Sequence, residues 1–249
     1  MTDATQQNIA FQGQAGSYHE MVCRATYPNM CPMACHSFEA VFRAVQESEA
    51  RLAVIAVENT LAGRVADVHH LMPEAGLHIV GEYFLPIRHA LLGIKGAKTE
   101  TLEHVHSHVH ALPQCRQLIE KLRLTRHVKA DTAGAAAFVA DQNDPTHAAI
   151  AAPIAAAIYG LDVLQEDIQD SENNVTRFLI LSRTPETPPY RPEDPVLTSC
   201  VFKVRNIPAA LYKALGGFAT NGVNMTKLES YVDEHFQAAQ FYCDVEGHP

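Results

Sequence analysis

The sequence has few basic residues and no cluster of them. Its 249 residues include 19 Lys and Arg against 28 Asp and Glu, which gives a formal net charge of -9. Proteins that bind nucleic acid or anionic membranes usually carry a basic patch, so we expect neither partner. No apolar run approaches the roughly 20 residues that span a bilayer. The first eight residues lack the basic start and apolar core of a signal peptide.

Motifs for metals, cofactors and disulfides are also missing. The six cysteines are scattered, and Cys31 and Cys35 are four residues apart, so no CxxC pair occurs. We therefore expect reduced thiols in a cytoplasmic protein. There is no GxSxG, Walker, HExxH or kinase motif, and residues 12–16 lack the third glycine of a dinucleotide-binding loop.

Histidines occupy every second position from His104 to His110, which places them on one face of a predicted strand. Neighbours on one face of a strand are about 7 Å apart, too far for adjacent residues to share a metal ion comfortably. We expect no metal and no cofactor.

The apolar segments predict alternating strands and helices. With 47% hydrophobic residues the chain can bury a substantial core. Residues 52–57 are uniformly apolar, as in a strand covered on both faces, and Ser17 and Ser37 precede helical segments as N-caps. This alternation predicts parallel sheets with helices on both faces. Residues 184–195 contain five prolines and predict a semi-stiff linker before a smaller unit.

Polar residues follow the predicted strands. In open α/β sheets ligands bind beyond the carboxyl ends of strands, and helix N-termini attract carboxylates. Two amides, a hydroxyl and a guanidinium also precede the strand that begins near Val175. Each position alone has an ordinary explanation: a helix cap, a turn glycine, a surface ion pair for Arg177 or a core position for Phe178. As a set they predict a crevice for a small carboxylate-bearing ligand.

Five motifs in order resemble the prephenate dehydratase family. They are Phe11–Tyr18 (FQGQAGSY), Val57–Val65 (VENTLAGRV), Asp131–Ala136 (DTAGAA), Ala148–Leu161 (AAIAA…YGL) and Asn173–Phe178 (NNVTRF). The resemblance implies a two-lobed α/β catalytic domain of the type 2 periplasmic-binding-protein kind over residues 8–183, with the site between the lobes. Lobe one would be residues 8–85 plus 167–183 and lobe two residues 86–166. After the linker, residues 196–249 would form a partial ferredoxin-like α+β ACT domain.

The implied reaction is the decarboxylative dehydration of prephenate to phenylpyruvate in phenylalanine biosynthesis, catalysed by a hydro-lyase without metal or cofactor. The resemblance implies four catalytic residues: Thr176, Arg177, Glu58 and Asn59. It implies substrate contacts at Gln12, Gly13, Ala15, Ser17, Tyr18, Ser107, His110, Thr132, Ala133, Asn174 and Phe178. We expect Thr176 to hydrogen-bond the departing hydroxyl. Arg177 would either grip a carboxylate or brace the loop from outside, and Glu58 would be protonated or face away from the substrate.

The chain departs from the family pattern at several positions. His110 replaces a glutamine, Ala209 replaces the glycine that opens the ACT helix motif, and Tyr231 replaces an arginine. The chain ends at Pro249, before the last ACT helix and strand would be complete. L-phenylalanine would bind at Ala209, Ala210, Leu211, Asn224, Met225, Glu229 and Ser230.

Family precedent implies a homodimer or homotetramer. Two other functions remain open, an arogenate dehydratase and a non-catalytic sensor of amino acids or anions.

Overall fold

A computed structural model describes residues 7–191, 193–232 and 238–248. Residues 1–6, Pro192, residues 233–237 and Pro249 lie outside the described residues. Three parts of the sequence predictions concern these residues: the N-terminal segment, one proline of the predicted linker and part of the predicted ACT domain. The chain divides into two units, one ending at Pro185 and the other beginning at Glu186.

The first unit contains two mixed sheets, and the sheet of lobe one has six strands. They are β1 (Asn8–Gln12), β2 (Cys31–Cys35), β3 (Leu52–Asn59), β4 (Gly63–Arg64), β5 (His78–Pro86) and β11 (Val175–Ser182). The order is β2-β1-β3-β11-β5, with β4 paired to β3. The strands β1, β2 and β3 run parallel, whereas β11 lies antiparallel between β3 and β5.

Lobe two has a sheet of five shorter strands. They are β6 (Ala90–Gly93), β7 (His104–His108), β8 (Thr125–Lys129), β9 (His147–Ala151) and β10 (Asp162–Gln165). The order is β10-β6-β9-β7-β8, with β7 parallel to both neighbours and β6 antiparallel to both of its own. Residues 87–89 and 166–174 therefore connect the two lobes.

Helices cover both faces of each sheet. They are α1 (Tyr18–Thr26), α2 (Phe38–Gln46), α3 (Ala66–Leu71), α4 (Arg116–Lys121), α5 (Thr132–Gln142) and α6 (Ile154–Tyr159). In lobe one, α1 packs on one face and α2 with α3 on the other; in lobe two, α4 packs on one face and α5 with α6 on the other. The two-lobed α/β fold predicted from the family resemblance is confirmed.

The prediction of parallel sheets holds for only part of each sheet, because both sheets also contain antiparallel strands. The apolar strand Leu52–Ile55 is almost fully buried, as predicted, but burial on both faces does not depend on the direction of the neighbouring strand. The direction changes because the chain leaves lobe one after β5 and returns as β11 from lobe two. Residues 112–115 form a 3-10 turn directly before α4.

The N-terminal ends of α1 and α5 carry the side-chain caps that place them at the cleft. Ser17 Oγ accepts a hydrogen bond from the Glu20 N–H, and Asp131 Oδ1 accepts one from the Gly134 N–H at 2.7 Å. In a capping box the Glu20 carboxylate would accept from the Ser17 N–H, but here Glu20 Oε2 accepts from the Gly16 N–H at 2.6 Å.

The second unit has the order strand, helix, strand, strand: β12 (Leu197–Lys203), α7 (Ala210–Thr220), β13 (Met225–Val232) and β14 (Ala238–Glu246). Its antiparallel sheet has the order β12-β14-β13. The N-cap of α7, Ala209, has a left-handed backbone with φ of +63°, a region that favours glycine. This is the position at which the family resemblance anticipates a glycine.

Candidate active site

A cavity of about 720 Å³ lies between the two lobes of the first unit. Lobe one contributes the ends of β1, β3 and β11 and the start of α1, and lobe two contributes the segments after β7 and β8. Eight of the predicted site residues line it: Gln12, Ser17, Tyr18, Asn59, His110, Thr132, Thr176 and Phe178. Residues from five separate motifs or loops thus meet in one volume.

A β-bulge in β3 decides which side chain faces this cavity. Opposite β11, Arg177 pairs with Glu58, but Phe178 pairs with Ala56, so β3 carries one extra residue at this point. After the extra residue the alternation of side chains is reversed, and Asn59 pairs with Thr176. Both Asn59 and Thr176 line the cavity, whereas Glu58 and Arg177 do not.

Asn59 is held in place by backbone and side-chain partners. Its Oδ1 atom accepts hydrogen bonds from the N–H groups of Leu61 at 2.9 Å and Ala62 at 2.8 Å. Its Nδ2 atom donates to Thr176 Oγ1 at 2.9 Å and to Asn174 Oδ1 at 2.8 Å. The Thr176 hydroxyl is therefore fixed by an amide that is itself anchored to the backbone.

The same chain of hydrogen bonds continues into lobe two. Asn174 is 1% exposed, and its Nδ2 atom donates to Gln114 Oε1 at 2.8 Å. Gln114 Oε1 also lies 3.0 Å from His89 Nε2, and His89 Nδ1 lies 2.8 Å from the Tyr18 hydroxyl. Burial lowers the pKa of His89, against the smaller opposite effect of its bond to Gln114. Since His89 is 2% exposed and neutral, it serves as a hydrogen-bonding group and not as a cation.

His19 is a second neutral imidazole that lines the cavity. Its Nε2 atom accepts from the Ala56 N–H at 3.2 Å, directly before the bulge, and its ring contacts that of Phe178 edge-on with centroids 5.1 Å apart. Burial lowers the pKa of His19 to about 4. His19 therefore supplies an acceptor to the backbone at the point where the pairing of β3 with β11 shifts.

The charged residues that line the cavity are mostly acidic. Arg64 is the one Lys or Arg among the lining residues, and the acidic ones are Glu39, Asp67 and Asp131. A hydrogen bond with Ser37 lowers the pKa of Glu39 below its usual value, so the Glu39 carboxylate is ionised at neutral pH. The Asp131 carboxylate caps the N-terminus of α5, where the helix dipole favours negative charge.

Comparison with known proteins assigns the family. The sequence model of the family described as prephenate dehydratase matches residues 9–186. The chain belongs to the prephenate dehydratase family. A bifunctional N-acyl-homoserine lactone acylase/prephenate dehydratase of Komagataeibacter europaeus is 47% identical over 242 residues, covering 97% of this chain and 86% of that protein.

Two further relatives of the chain differ in their names and in their coverage. Arogenate dehydratase 2 of Petunia hybrida is 43% identical over 229 residues, which cover 92% of this chain but 58% of the plant protein. The crystal structure of prephenate dehydratase in complex with L-Phe from Arthrobacter aurescens is 28% identical and superposes with a TM-score of 0.87, covering 97% of this chain and 80% of that chain.

Seven residues expected at the site do not line the cavity: Gly13, Ala15, Glu58, Ser107, Ala133, Asn174 and Arg177. Arg177 Nε instead bonds to Glu82 Oε2 at 2.8 Å, and the Ser107 hydroxyl donates to the Ile150 carbonyl at 2.6 Å. Ala15 contributes its carbonyl, which accepts from the Tyr159 hydroxyl of lobe two at 2.8 Å. Arg177 lies between Thr176 and Phe178 on β11, so the ordinary alternation of a strand turns it away from the cavity. The bulge in β3 brings Asn59 to the cavity and turns Glu58 away, so both residues take the outward-facing alternative that the sequence left open.

Sequence reasoning also missed several residues of the site. The most informative of these are His19, Arg64, His89 and Gln114. Arg64 lies within a motif that resembles the family, and this motif is the sequence signal that could have marked it. His89 lies on the connection between the lobes and outside every motif, so no sequence signal marked it.

Three or more His, Cys, Asp or Glu side chains are nowhere arranged to hold a metal ion in the part of the chain that the structure describes. The histidines of β7 pack against histidines of the adjacent strands. His104 and His106 contact His127 and His147, and His106 Nε2 lies 2.8 Å from His147 Nδ1. Within the described residues no helix has the length and apolar character needed to cross a membrane.

Proposed function

We propose that the chain catalyses the decarboxylative dehydration of prephenate to phenylpyruvate. The observation that carries the proposal is the Thr176 hydroxyl, 8% exposed, lining a cavity between two lobes with its oxygen held by Asn59. In a dry cavity, a donor aimed at an oxygen that gains negative charge stabilises that charge far more than water does.

The reaction breaks two bonds that join substituents to the substrate ring. The electron pair of the carbon–carboxylate bond moves into the ring, carbon dioxide leaves, and the bond to the ring hydroxyl breaks at the opposite carbon. The departing hydroxide takes up a proton and leaves as water, and the ring becomes aromatic. A hydrogen bond from Thr176 to the leaving oxygen stabilises its developing charge. An alcohol is a weak acid at neutral pH, so this role is stabilisation and does not require full proton transfer from Thr176.

Binding of the substrate carboxylates falls to Arg64 and to the N-termini of α1 and α5. Arg64 lines the cavity, and a guanidinium matches the geometry of a carboxylate. Ser17 and Thr132 line the same cavity at the first turns of their helices, where N–H groups point outward. We assign Arg177 to bracing β11 through Glu82.

Arogenate dehydration is the second candidate, and the acidic lining residues favour it. Arogenate carries an ammonium group where prephenate carries a ketone, and Glu39, Asp67 or Asp131 could pair with that cation. The plant relative at 43% identity is named an arogenate dehydratase. The relative at 47% identity is also named an N-acyl-homoserine lactone acylase, which makes acylase activity a third outcome to test.

The test compares kcat/KM of the purified protein on prephenate, arogenate and an N-acyl-homoserine lactone. Phenylpyruvate is followed by its absorbance and phenylalanine by chromatography. The proposal predicts phenylpyruvate formation from prephenate with the highest kcat/KM of the three. Higher kcat/KM on arogenate would move the assignment to the second candidate. Two outcomes would overturn the proposal. One is hydrolysis of the amide bond of the N-acyl-homoserine lactone with no turnover of the other two substrates, and the other is no turnover of any substrate, as expected of a sensor.

The remaining expectations concern regulation, assembly and location. We propose that the unit beginning at Glu186 is a partial ACT domain that binds L-phenylalanine, that the protein is a homodimer or homotetramer, and that it is cytoplasmic, in keeping with six free thiols. This unit has a cavity of about 340 Å³ between α7 and β13, and Met225 is the one expected phenylalanine contact among its lining residues. A change in kcat or KM on addition of L-phenylalanine tests the regulatory part.

A further inference from the structure

We propose that two backbone N–H groups, those of Leu61 and Ala62, set the direction of a chain of hydrogen bonds that presents the Thr176 hydroxyl as a donor to the cavity. The identity of the reaction rests on the proposed function, but the direction of the bonds does not. The positioning residues in this chain are Asn59, Asn174 and Gln114.

The direction is fixed at Asn59. Backbone N–H groups can only donate, so the Asn59 atom that lies 2.9 Å from Leu61 N and 2.8 Å from Ala62 N is the amide oxygen. The other atom is therefore the NH₂ group, whose orientation is usually ambiguous but is settled here by its two backbone neighbours. Its two hydrogens serve Thr176 Oγ1 at 2.9 Å and Asn174 Oδ1 at 2.8 Å, with the Val175 carbonyl farther away at 3.3 Å.

The consequence for Thr176 concerns its single hydrogen. Because Oγ1 accepts from Asn59, the hydroxyl hydrogen must point elsewhere. Among the residues that the structure describes, Thr176 Oγ1 donates to no protein acceptor, and the residue lines the cavity. An oxygen of a bound substrate can accept this hydrogen.

The same direction extends away from the cavity. Asn174 points its oxygen at Asn59, so its NH₂ group faces Gln114 Oε1, which must then be an acceptor. His89 Nε2, 3.0 Å from that oxygen, carries the imidazole proton, and His89 Nδ1 accepts from the Tyr18 hydroxyl at 2.8 Å. The Tyr18 hydroxyl also lies 2.8 Å from the Arg88 carbonyl, to which it can donate, so this carbonyl and His89 Nδ1 compete for its single hydrogen. The directed chain requires that the hydrogen go to His89 Nδ1 in the wild-type protein.

The substitution Asn59→Asp reverses the chain with almost no change of shape. One oxygen of the introduced carboxylate still accepts from Leu61 and Ala62, but the other can only accept. Thr176 must then donate to this second oxygen and lose its donor to the cavity. The two downstream amides rotate, the His89 proton moves to Nδ1, and the Tyr18 hydroxyl turns to the Arg88 carbonyl.

Two readouts test this reversal, and one of them does not involve activity. Asn59→Asp should lower turnover by about 100- to 1000-fold, the usual effect of losing one preorganised donor, although the Thr176 hydroxyl is retained. In ¹⁵N NMR spectra, His89 should be protonated at Nε2 in the wild-type protein and at Nδ1 in the variant. Asn173→Asp is the charge control, since it adds a carboxylate at an exposed neighbouring position; turnover and the His89 tautomer should be unchanged.

The outcomes separate the two proposals. Wild-type His89 protonated at Nδ1, or an unchanged tautomer in folded Asn59→Asp, would overturn the directed chain even if activity were lost. Full turnover in Asn59→Asp would overturn it as well. An absence of dehydratase activity in the wild-type protein would instead remove the proposed function, and the wild-type tautomer would still decide the direction of the bonds.

Discussion

The amide of Asn59 and the hydroxyl of Thr176 are joined by a 2.9 Å hydrogen bond across 117 positions of sequence. The bond connects neighbouring antiparallel strands, β3 before the chain enters lobe two and β11 after it returns. Two motifs that resemble the family, one around Glu58 and one around Thr176, therefore form a single unit. The bulge in β3 is what makes the unit, because without the extra residue Glu58 would take the place of Asn59.

His19 should make stability depend on pH in the acid range. Burial lowers the pKa of His19 to about 4 from a usual value near 6.5, so the folded state prefers the neutral ring. The contribution of the neutral His19 ring to the free energy of unfolding is fully present above pH 6.5. It is lost as the pH falls from 6.5 toward 4 and does not change further below pH 4. The loss amounts to about 3 kcal/mol at roughly 1.36 kcal/mol per pH unit. Urea unfolding between pH 7.5 and pH 4.5 measures most of this loss, which is complete only below pH 4.

The control for His19 is His19→Gln, which does not titrate and can still accept from the Ala56 N–H. Other histidines with lowered pKa values, such as His106, titrate equally in both proteins, so the difference between the two pH dependences isolates His19. Identical pH dependences would show that His19 is not held neutral.

Arg177 and Glu82 should act as one structural pair. Their side chains are 12% and 33% exposed and their atoms Nε and Oε2 are 2.8 Å apart. We expect Arg177→Gln and Glu82→Gln each to lower the free energy of unfolding by about 1 kcal/mol. The double variant should be no less stable than the less stable of the two single variants.

Steady-state kinetics distinguish this bracing role from a grip on the substrate. If Arg177 braces β11, KM for prephenate should change equally in the two single variants. A large rise of KM in Arg177→Gln alone would show that the guanidinium binds a substrate carboxylate.

Gly16 should be required for the contact between the lobes. Its φ is +85°, and a Cβ atom would lie 3.1 Å from Ala155 Cα and 3.2 Å from Ala155 Cβ at the start of α6. We expect Gly16→Ala to lower the melting temperature and the turnover, because the added carbon would push the Gly-containing loop away from lobe two. The matched control is Gly76→Ala, which has a φ of +63° and no atom within 4 Å of the added carbon. Equal melting temperatures of the two variants would contradict the close approach.

The sequence predicted the residues of the cleft better than the direction of its strands. Ser17, Asn59, Thr132 and Thr176 could be predicted because each follows or precedes an apolar segment whose end must lie at the edge of a sheet. Parallel and antiparallel neighbours bury an apolar strand equally, so the reversed strand β11 left no signal in the residues of β3.

Alternation along β11 already turns Arg177 away from the cleft if Thr176 faces it, but the role of Glu58 could not be read in this way. Two residues that follow one another in a strand face opposite sides, so either Glu58 or Asn59 could face the cleft, and a bulge has no reliable sequence mark. His89 and Gln114 were beyond prediction for another reason. Their function depends on the meeting of two lobes through a connection that contains no motif.

The role of the Thr176 hydroxyl is tested most directly by the turnover of prephenate in Thr176→Val and Thr176→Ser. Valine keeps the branched shape without the hydroxyl, and serine keeps the hydroxyl without the methyl group. The account predicts that Thr176→Val loses about 100- to 1000-fold in kcat with KM little changed, while Thr176→Ser keeps most of the activity. Wild-type kcat in Thr176→Val, with the fold intact, would contradict the account.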